Sequence, residues 1–172
     1  MEIHCLDHQI ISDITYYSQD SPVGMWYFGV YDNLLVSMHL HKPEARILSV
    51  ANGLSKQIAD QIQAYFQGDL SSFELQVGLS GTKFDQQVLT YVAEIPFGEQ
   101  WSYKDIALKF EDANLSRAVG SANGRNKILL VIPCHRVVGA NGDLTGYAGG
   151  LPAKKWLLDF EKRKVSNQLS IF

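Results

Sequence analysis

The chain has 172 residues, of which 46% are hydrophobic and 19% charged, a balance typical of a globular protein rather than a disordered one. It contains no apolar run near the ~20 residues of a membrane helix, and residues 1–5 lack the basic and apolar regions of a signal peptide, so we expect a cytoplasmic protein with no membrane partner. The net charge of −3 conceals a division, because residues 1–79 carry −6 and residues 80–172 carry +3, which assigns any nucleic-acid contact to the second half.

The first 79 residues predict a small α/β domain. Apolar residues suggest a strand over residues 10–17, and two further runs at residues 26–30 and 34–40 flank a turn signal and predict a hairpin. A helical apolar stripe follows and ends before Gly68. Its members are Leu54, Ile58, Ile62, Tyr65 and Phe66. The polar stretch over residues 71–80 is the best candidate for a boundary, giving domains of residues 1–79 and 80–172.

The second half is predicted to be mainly helical. Thr82, with Asp85 three residues on, begins an apolar-faced helix that ends at Pro96. A shorter helix starts at Ser102 and runs to about residue 110, and another spans about residues 115–123. Two short helices separated by a turn fit helix-turn-helix geometry, although many helical pairs share this pattern.

The end of the chain combines a short β element with a last helix. Residues 137–138 and 144–145, on either side of an Asn141-Gly142 turn, predict a small β-hairpin or wing. Residues from about 151 to 163 predict the final helix.

The most informative segment is the hexapeptide at residues 132–137, Ile-Pro-Cys-His-Arg-Val, directly after the apolar run at residues 128–131. A cysteine reacts through its thiolate, so a functional thiol needs a nearby charge, donor or base. Here a strand-like run ends at a proline and delivers Cys134 into a loop. Because neighbouring side chains seldom face each other, proton transfer from Cys134 to His135 is expected to pass through a water. The two cysteines, Cys5 and Cys134, provide no disulfide framework.

About half of the chain resembles the O6-alkylguanine-DNA alkyltransferases, also called methylated-DNA–protein-cysteine methyltransferases. The resemblance runs in order, with matching spacing, from residue 81 to about residue 164. The matching segments are residues 81–84 (Gly-Thr-Lys-Phe), 95–98 (Ile-Pro-Phe-Gly), 101–103 (Trp-Ser-Tyr), 116–120 (Ser-Arg-Ala-Val-Gly), 122–126 (Ala-Asn-Gly-Arg-Asn), 132–137 and 146–150 (Gly-Tyr-Ala-Gly-Gly), followed by Lys154, 156–158 (Trp-Leu-Leu) and Glu161.

The resemblance implies a fold and an activity. The fold is a ribonuclease H-like α/β domain, built of a small sheet and a helix, followed by a mainly α winged helix-turn-helix domain. The activity is DNA repair by direct reversal, in which an alkyl group passes irreversibly and stoichiometrically from O6-alkylguanine to Cys134. O4-alkylthymine stays open as a second substrate. The target base is flipped out of double-stranded DNA bound through its minor groove, by a monomer that uses no cofactor.

The resemblance also implies catalytic roles. Cys134 accepts the alkyl group, and His135 deprotonates it through a water. Glu161 orients His135 and stabilises its charge, following the logic of nucleophile, base and orienter. Asn126 braces the turn that carries the thiol, and Tyr103 donates a hydrogen bond to the guanine ring. This relay predicts a Cys134 pKa below the ~8.5 of a free cysteine.

Arg117 is implied to be a finger that enters the duplex and fills the space left by the flipped base. Small residues on the same helix are implied to allow close approach to the DNA backbone. The other residues assigned to DNA contact are Tyr103, Ser116, Ala118, Gly120, Arg125 and Arg136. The substrate pocket is assigned to Val137, Tyr147, Ala148, Gly149 and Lys154. Ala148 stands where some relatives have Ser, which leaves the substrate range open.

Two other classes of function compete with this interpretation. A non-catalytic, alkyltransferase-like lesion-binding protein resembles the same half but lacks the nucleophile, so Cys134 argues against it. A winged-helix regulator with a redox-sensing cysteine ranks last, because no second cysteine lies nearby to resolve a sulfenate. Cys5 with His4, His8, His39 and His41 lacks paired-cysteine spacing, and we expect no metal.

Overall fold

The structure, a computed structural model, describes residues 1–6, 13–50 and 53–169. The chain divides into two compact units, residues 1–82 and 83–172. Among the helices that the structure describes, none combines the length and the apolar composition needed to cross a bilayer.

The first unit is a six-stranded mixed sheet with one helix. The strands are β1 (Glu2–Cys5), β2 (Thr15–Gln19), β3 (Trp26–Tyr31), β4 (Leu34–His39), β5 (Ile47–Leu48) and β6 (Gln76–Leu79), and the helix is α1 (Gly53–Gln67). The order across the sheet is β1-β6-β4-β3-β2-β5. The β2–β3 and β3–β4 pairs are antiparallel, whereas β1–β6, β4–β6 and β2–β5 are parallel.

The predicted hairpin is present as β3 and β4. Its two turn residues, Asp32 and Asn33, have φ of 45° and 60°, which is the backbone that a tight two-residue hairpin requires and that Asp and Asn tolerate. The predicted helical stripe is also buried, since Ile58, Ile62 and Tyr65 of α1 are inaccessible to solvent. Together with the apolar faces of β3, β4 and β6 they form the core of this unit.

The predicted boundary stretch at residues 71–80 proved to contain a strand. β6 lies between β1 and β4, and its Val77 and Leu79 are buried. Gly78 interrupts the alternation of side chains because the sheet is crowded there: a Cβ at Gly78 would lie 2.7 Å from the Leu6 side chain. The strand predicted over residues 10–17 begins at Thr15 in the structure, and residues 10–12 lie outside the described residues.

The second unit packs helices around a buried turn. The helices are α2 (Lys83–Ala93), α3 (Tyr103–Leu108), α4 (Ser116–Gly124) and α5 (Leu151–Leu169), with 3₁₀ turns at Ala113–Leu115 and Cys134–Arg136 and two short strands, β7 (Trp101–Ser102) and β8 (Val137–Val138). α2, α3 and α4 contact one another. α3 begins at the predicted position, where Ser102 and Asp105 form the reciprocal hydrogen bonds of a capping box.

Two local predictions for this unit were wrong. Residues 137–145 do not form a hairpin, because β8 pairs in parallel with β7, in the register Trp101 to Val137. Val137 and Val138 are both buried, so both faces of this strand pack inside the unit. The second arm of a solvent-exposed hairpin could not cover both faces. The final helix also extends beyond the predicted end, to Leu169.

The apolar run at residues 128–131 is a compact turn rather than a strand. Leu130 has φ of 67°, and the Ile132 amide donates to the Ile128 carbonyl at 3.0 Å. All four residues of the run are buried. A continuous apolar run shows only that a segment is inside, and its periodicity does not distinguish a strand from a folded turn.

Gly98, in the loop between α2 and β7, is a position where the structure requires glycine. Its φ is +80°, and a Cβ there would lie 2.6 Å from Cγ2 of Val165 on α5. We expect Gly98→Ala to lower the free energy of unfolding by about 1–3 kcal/mol through backbone strain, with the steric clash adding to this loss. Urea denaturation measures the change.

Gly124→Ala is the matched control. Gly124 lies in α4, and a Cβ there would have no neighbouring atom within 4 Å, so alanine should be neutral or stabilising by about 0.5–1 kcal/mol. Equal stability of Gly98→Ala and the parent protein would contradict the assigned strain.

Candidate active site

The Cys134 thiol lies at the first residue of the 3₁₀ turn Cys134–Arg136, shortly after the buried turn of residues 128–131. Its side chain is only 3% exposed. The Cys134 amide donates to the Ile132 carbonyl at 2.8 Å, which fixes the backbone below the sulfur.

Asn126 holds the turn that presents the thiol. Its Nδ2 donates to the Ile132 carbonyl at 2.9 Å and to Cys134 Sγ at 3.1 Å, and its Oδ1 accepts from the Ile128 amide at 2.9 Å. The side chain is buried and gives this backbone the hydrogen bonds that a neighbouring strand would otherwise supply. One amide group thereby closes the turn and supplies a donor to the sulfur.

His135, which follows Cys134 in the chain, forms a buried pair with Glu161. His135 Nε2 lies 2.9 Å from Glu161 Oε1, and neither side chain is exposed. An ionised carboxylate accepts only, so Nε2 carries the proton and Nδ1 presents a lone pair. Within residues 1–6, 13–50 and 53–169, Nδ1 has no hydrogen-bond partner, which leaves it available to a proton from outside the pair.

Glu161 is saturated with donors. Besides His135, its carboxylate accepts from the Gly98 amide at 2.9 Å and from Arg136 Nη2 at 2.9 Å and Nε at 3.0 Å. Burial opposes ionisation of Glu161, but the hydrogen bond from His135 and the charge and hydrogen bonds of Arg136 outweigh it and hold the pKa of Glu161 well below its ordinary value. The carboxylate is therefore ionised across the physiological range.

Arg136 was expected at the DNA surface, and the structure places it elsewhere. Its side chain is buried, donates to Glu161, and gives Nη1 to the Ile95 carbonyl at 2.6 Å. The guanidinium also lies over the Phe97 ring, 5.7 Å from its centre. A guanidinium with these internal partners is not available to a phosphate. Arg136, although it lies two residues after Cys134, therefore holds the carboxylate of the His135–Glu161 pair.

The expected low pKa of the thiol was wrong for the free protein. Burial raises the pKa of Cys134 to about 11, and the Asn126 hydrogen bond and the Lys154 charge only partly oppose it. Burial likewise lowers the pKa of His135, because desolvation disfavours the imidazolium more than Glu161 favours it. At neutral pH the Cys134 thiol and the His135 imidazole of the free protein are therefore both uncharged.

A cavity of about 280 Å³ opens beside the thiol, near the lower end of the volumes of ligand sites. Its lining residues are Tyr103, Gly120, Asn123, Gly124, Cys134, Gly146, Tyr147 and Ala148. The Tyr103 hydroxyl is 3.0 Å from Thr145 Oγ1. The Tyr147 hydroxyl and Asn123 Oδ1 are buried and have no partner elsewhere in the part of the chain that the structure describes.

The sequence assigned Val137, Gly149 and Lys154 to the pocket, but they are not among these lining residues. Lys154 Nζ donates to the carbonyls of Val137 at 2.6 Å and Thr145 at 2.7 Å. This ammonium ties β8 to the loop that carries Tyr147. Sequence reasoning gave no site role to Asn123 or Gly98. The one signal for Asn123 is that it is a polar residue on the apolar face of its helix, next to Ala122 and in line with Val119.

α4 presents a polar face to solvent. Arg117, Ala118, Ser121, Gly124 and Arg125 are exposed, whereas Val119, Ala122 and Asn123 are buried. Arg125 is not a free cation, because its guanidinium donates to the buried carboxylate of Asp85, from Nε at 3.2 Å, and to Ser121. The Ser116 hydroxyl donates to the Ala113 carbonyl at 2.7 Å, within the turn that precedes α4.

In the first unit, the candidate metal ligands do not assemble. Cys5 is exposed, and among the described residues no three His, Cys, Asp or Glu side chains are grouped as ligands. His8 lies outside the described residues.

The raised pKa of Cys134 predicts slow modification of the free protein. In a Cys5→Ser variant, we expect the rate of iodoacetamide labelling to be low at neutral pH and to climb about tenfold per pH unit toward pH 11, because only the thiolate reacts. Mass spectrometry follows the labelling. In urea the same thiol should titrate near ~8.5. A plateau below about pH 9 in the folded protein would show that the thiol is activated at rest.

Comparison with known proteins places this site in a family. A family model described as the DNA-binding domain of 6-O-methylguanine DNA methyltransferase matches residues 83–163. A methylated-DNA–protein-cysteine methyltransferase of Mycobacterium bovis is 37% identical over 163 residues, which are 92% of this chain and 99% of that protein.

Solved structures agree with the sequence match. The crystal structure of Mycobacterium tuberculosis O6-methylguanine methyltransferase has a TM-score of 0.80 at 36% identity and covers 88% of this chain and 94% of its own. The structure of OGT from the same organism in complex with DNA has a TM-score of 0.80 at 38% identity, with coverage of 87% and 94%. The chain therefore belongs, over most of its length, to the methylated-DNA–protein-cysteine methyltransferase family.

Proposed function

We propose that this protein repairs alkylated DNA by transferring the alkyl group from O6 of guanine to the sulfur of Cys134. The observation that carries the proposal is the position of Cys134 on the wall of a small cavity, one residue before His135, which forms a buried hydrogen-bonded pair with Glu161. Family membership supports the same reaction. The nucleophile itself argues against a non-catalytic lesion-binding protein.

The reaction is a displacement at the alkyl carbon. The S–C bond forms as the C–O6 bond breaks, and the bonding electron pair leaves on the purine oxygen. The thiol proton passes through a water to His135 Nδ1. The imidazolium then releases one proton and the purine anion takes one up, which restores uncharged His135 and neutral guanine. Glu161 stabilises the imidazolium in between, and Tyr103 and the Asn126 amide donate to the groups that become negative. No cofactor takes part.

The product makes the protein a stoichiometric reagent. A thioether is chemically stable, and among the described residues that line the cavity none is a second nucleophile that could remove the alkyl group from Cys134. Each molecule thus acts once. Because Cys134 must remain a free thiol, we place the protein in the reducing cytoplasm.

DNA binding is assigned to the second unit. α3, the turn at Ala113–Leu115 and α4 form the proposed helix-turn-helix, and β7 and β8 form a short parallel strand pair in the same unit. The exposed face of α4 carries Arg117 between small residues, which suits close approach through the minor groove. A monomer is proposed to flip the base into the cavity, and Arg117 fills its place. The first unit is proposed to be a ribonuclease H-like domain.

Alkyl capture is the direct test of the proposed function. Incubation with a duplex containing O6-methylguanine should add one methyl group to Cys134, detected by peptide mass spectrometry, and the reaction should then stop. Cys134→Ser should accept no methyl group while retaining DNA binding, and Cys5→Ser should behave as the parent does. Methylation of Cys134→Ser, or several turnovers per molecule, would contradict the assignment.

Arg117 should matter only when the base starts inside a duplex. We expect Arg117→Ala to slow transfer from O6-methylguanine in duplex DNA by about tenfold or more, since a lost charged contact is worth roughly 1–3 kcal/mol, and to leave transfer from free O6-benzylguanine nearly unchanged. Arg163→Ala, which removes an exposed cation from α5, serves as the charge control. Equal losses on both substrates would mean that Arg117 supports the pocket instead.

A further inference from the structure

We infer that Arg136 is a positioning residue for the reaction: by clamping the Glu161 carboxylate, it keeps His135 uncharged and leaves His135 Nδ1 free to receive the Cys134 proton. The inference deepens the proposed function, on which its catalytic meaning rests. Its physical content, the protonation state of His135, can be measured without any alkyl transfer.

The geometry shows a carboxylate shared between a base and a cation. Glu161 Oε1 accepts from His135 Nε2 at 2.9 Å and from Arg136 Nη2 at 2.9 Å, and Oε2 accepts from Arg136 Nε at 3.0 Å and from the Gly98 amide at 2.9 Å. The Ile95 carbonyl and the Phe97 ring hold the guanidinium from its other side. The two-point contact to Glu161 fixes the plane of the carboxylate and therefore the ring that it orients.

The charges decide which state of His135 this arrangement favours. Glu161 and Arg136 cancel, so an uncharged His135 leaves the buried group neutral, whereas an imidazolium would add a net positive charge where side-chain exposure is 0%. The other groups facing the ring do not compensate for it. Cys134 and Tyr147 are protonated and uncharged, because burial raises the pKa of both, and Lys154 is a second cation.

Removing Arg136 would reverse this balance. Glu161 would then have one ionic partner left, and protonation of His135 would neutralise a buried carboxylate instead of creating an excess charge. An imidazolium has no lone pair on Nδ1 and cannot accept the thiol proton. Loss of Arg136 would also free the Glu161 carboxylate to rotate. Arg136 thus affects both the orientation of the His135 ring and its charge.

The test measures the titration of His135 by long-range ¹H–¹⁵N NMR in a Cys134→Ser background, where no thiol proton complicates the result. With Arg136 present, His135 should stay uncharged with its proton on Nε2 down to below the ~6.5 of a free histidine. Adding Arg136→Gln should raise the midpoint by about 1–3 units, the range that a neighbouring charge produces. Arg136→Lys should give a smaller rise, because an ammonium cannot bond both carboxylate oxygens in the same plane.

Asp85→Asn is the matched control. It breaks the other ion pair with a buried carboxylate in this unit, between Asp85 and Arg125, and should not move the His135 midpoint. An unmoved midpoint in folded Arg136→Gln would overturn the inference. If Arg136→Gln does not fold, folded Arg136→Lys decides in the same way, since an unmoved midpoint there also counts against the clamp.

A second readout connects the clamp to the reaction. With Cys134 intact and O6-benzylguanine as the free-base substrate, the acid limb of the pH–rate profile should move upward in Arg136→Gln by the same interval, and the rate should recover at alkaline pH. A purely structural role would lower the rate at every pH. If the parent protein transfers no alkyl group from O6-methylguanine in duplex DNA, the proposed function fails, but the NMR titration still decides the role of Arg136.

Discussion

The buried carboxylate of Glu161 is the interaction on which the site of this protein depends. Moving an ion away from water costs several kcal/mol unless every lone pair finds a donor, and a half-satisfied carboxylate is worse than none. Glu161 meets this requirement by joining three segments: the loop at Gly98 and the turn carrying His135 and Arg136, which supply the donors, and the helix α5, which delivers the carboxylate. The requirement for complete satisfaction therefore fixes where these segments lie, and the base is oriented as a result of the same constraint.

The turn that carries the thiol follows a similar principle with an uncharged group. Residues 128–131 are buried, and the Asn126 amide satisfies backbone groups on both sides of the run. The sulfur then lies within reach of the same side-chain amide, so the device that closes the turn also contributes a donor to the thiol. Burial of the sulfur opposes this donor and is the larger effect, which keeps the thiol protonated. The resting geometry by itself therefore does not produce a thiolate.

The sequence predicted correctly those elements that are determined by residues close together in the chain. The Asp32-Asn33 turn and the start of α3 at Ser102 are set by the chemistry of adjacent residues, and both were predicted correctly. The β7–β8 pairing and the partners of Arg136 join segments more than twenty residues apart, so no local pattern contains them. The acidity of Cys134 was missed for a related reason: a cation and a histidine next to it in sequence suggest a thiolate, but burial, which depends on the whole unit, is the larger effect.

The depth of Cys134 has a consequence for the lifetime of the molecule in a cell. With a pKa of about 11, only about one such thiol in ten thousand is ionised at pH 7. Hydrogen peroxide attacks thiolates rather than thiols, and its oxidation products are not alkyl acceptors. A buried, protonated sulfur therefore ages slowly under oxidative stress, while the exposed Cys5 meets the same oxidant first. Under the proposed single-use reaction, slow chemical ageing of Cys134 decides how many copies are still competent when a lesion forms.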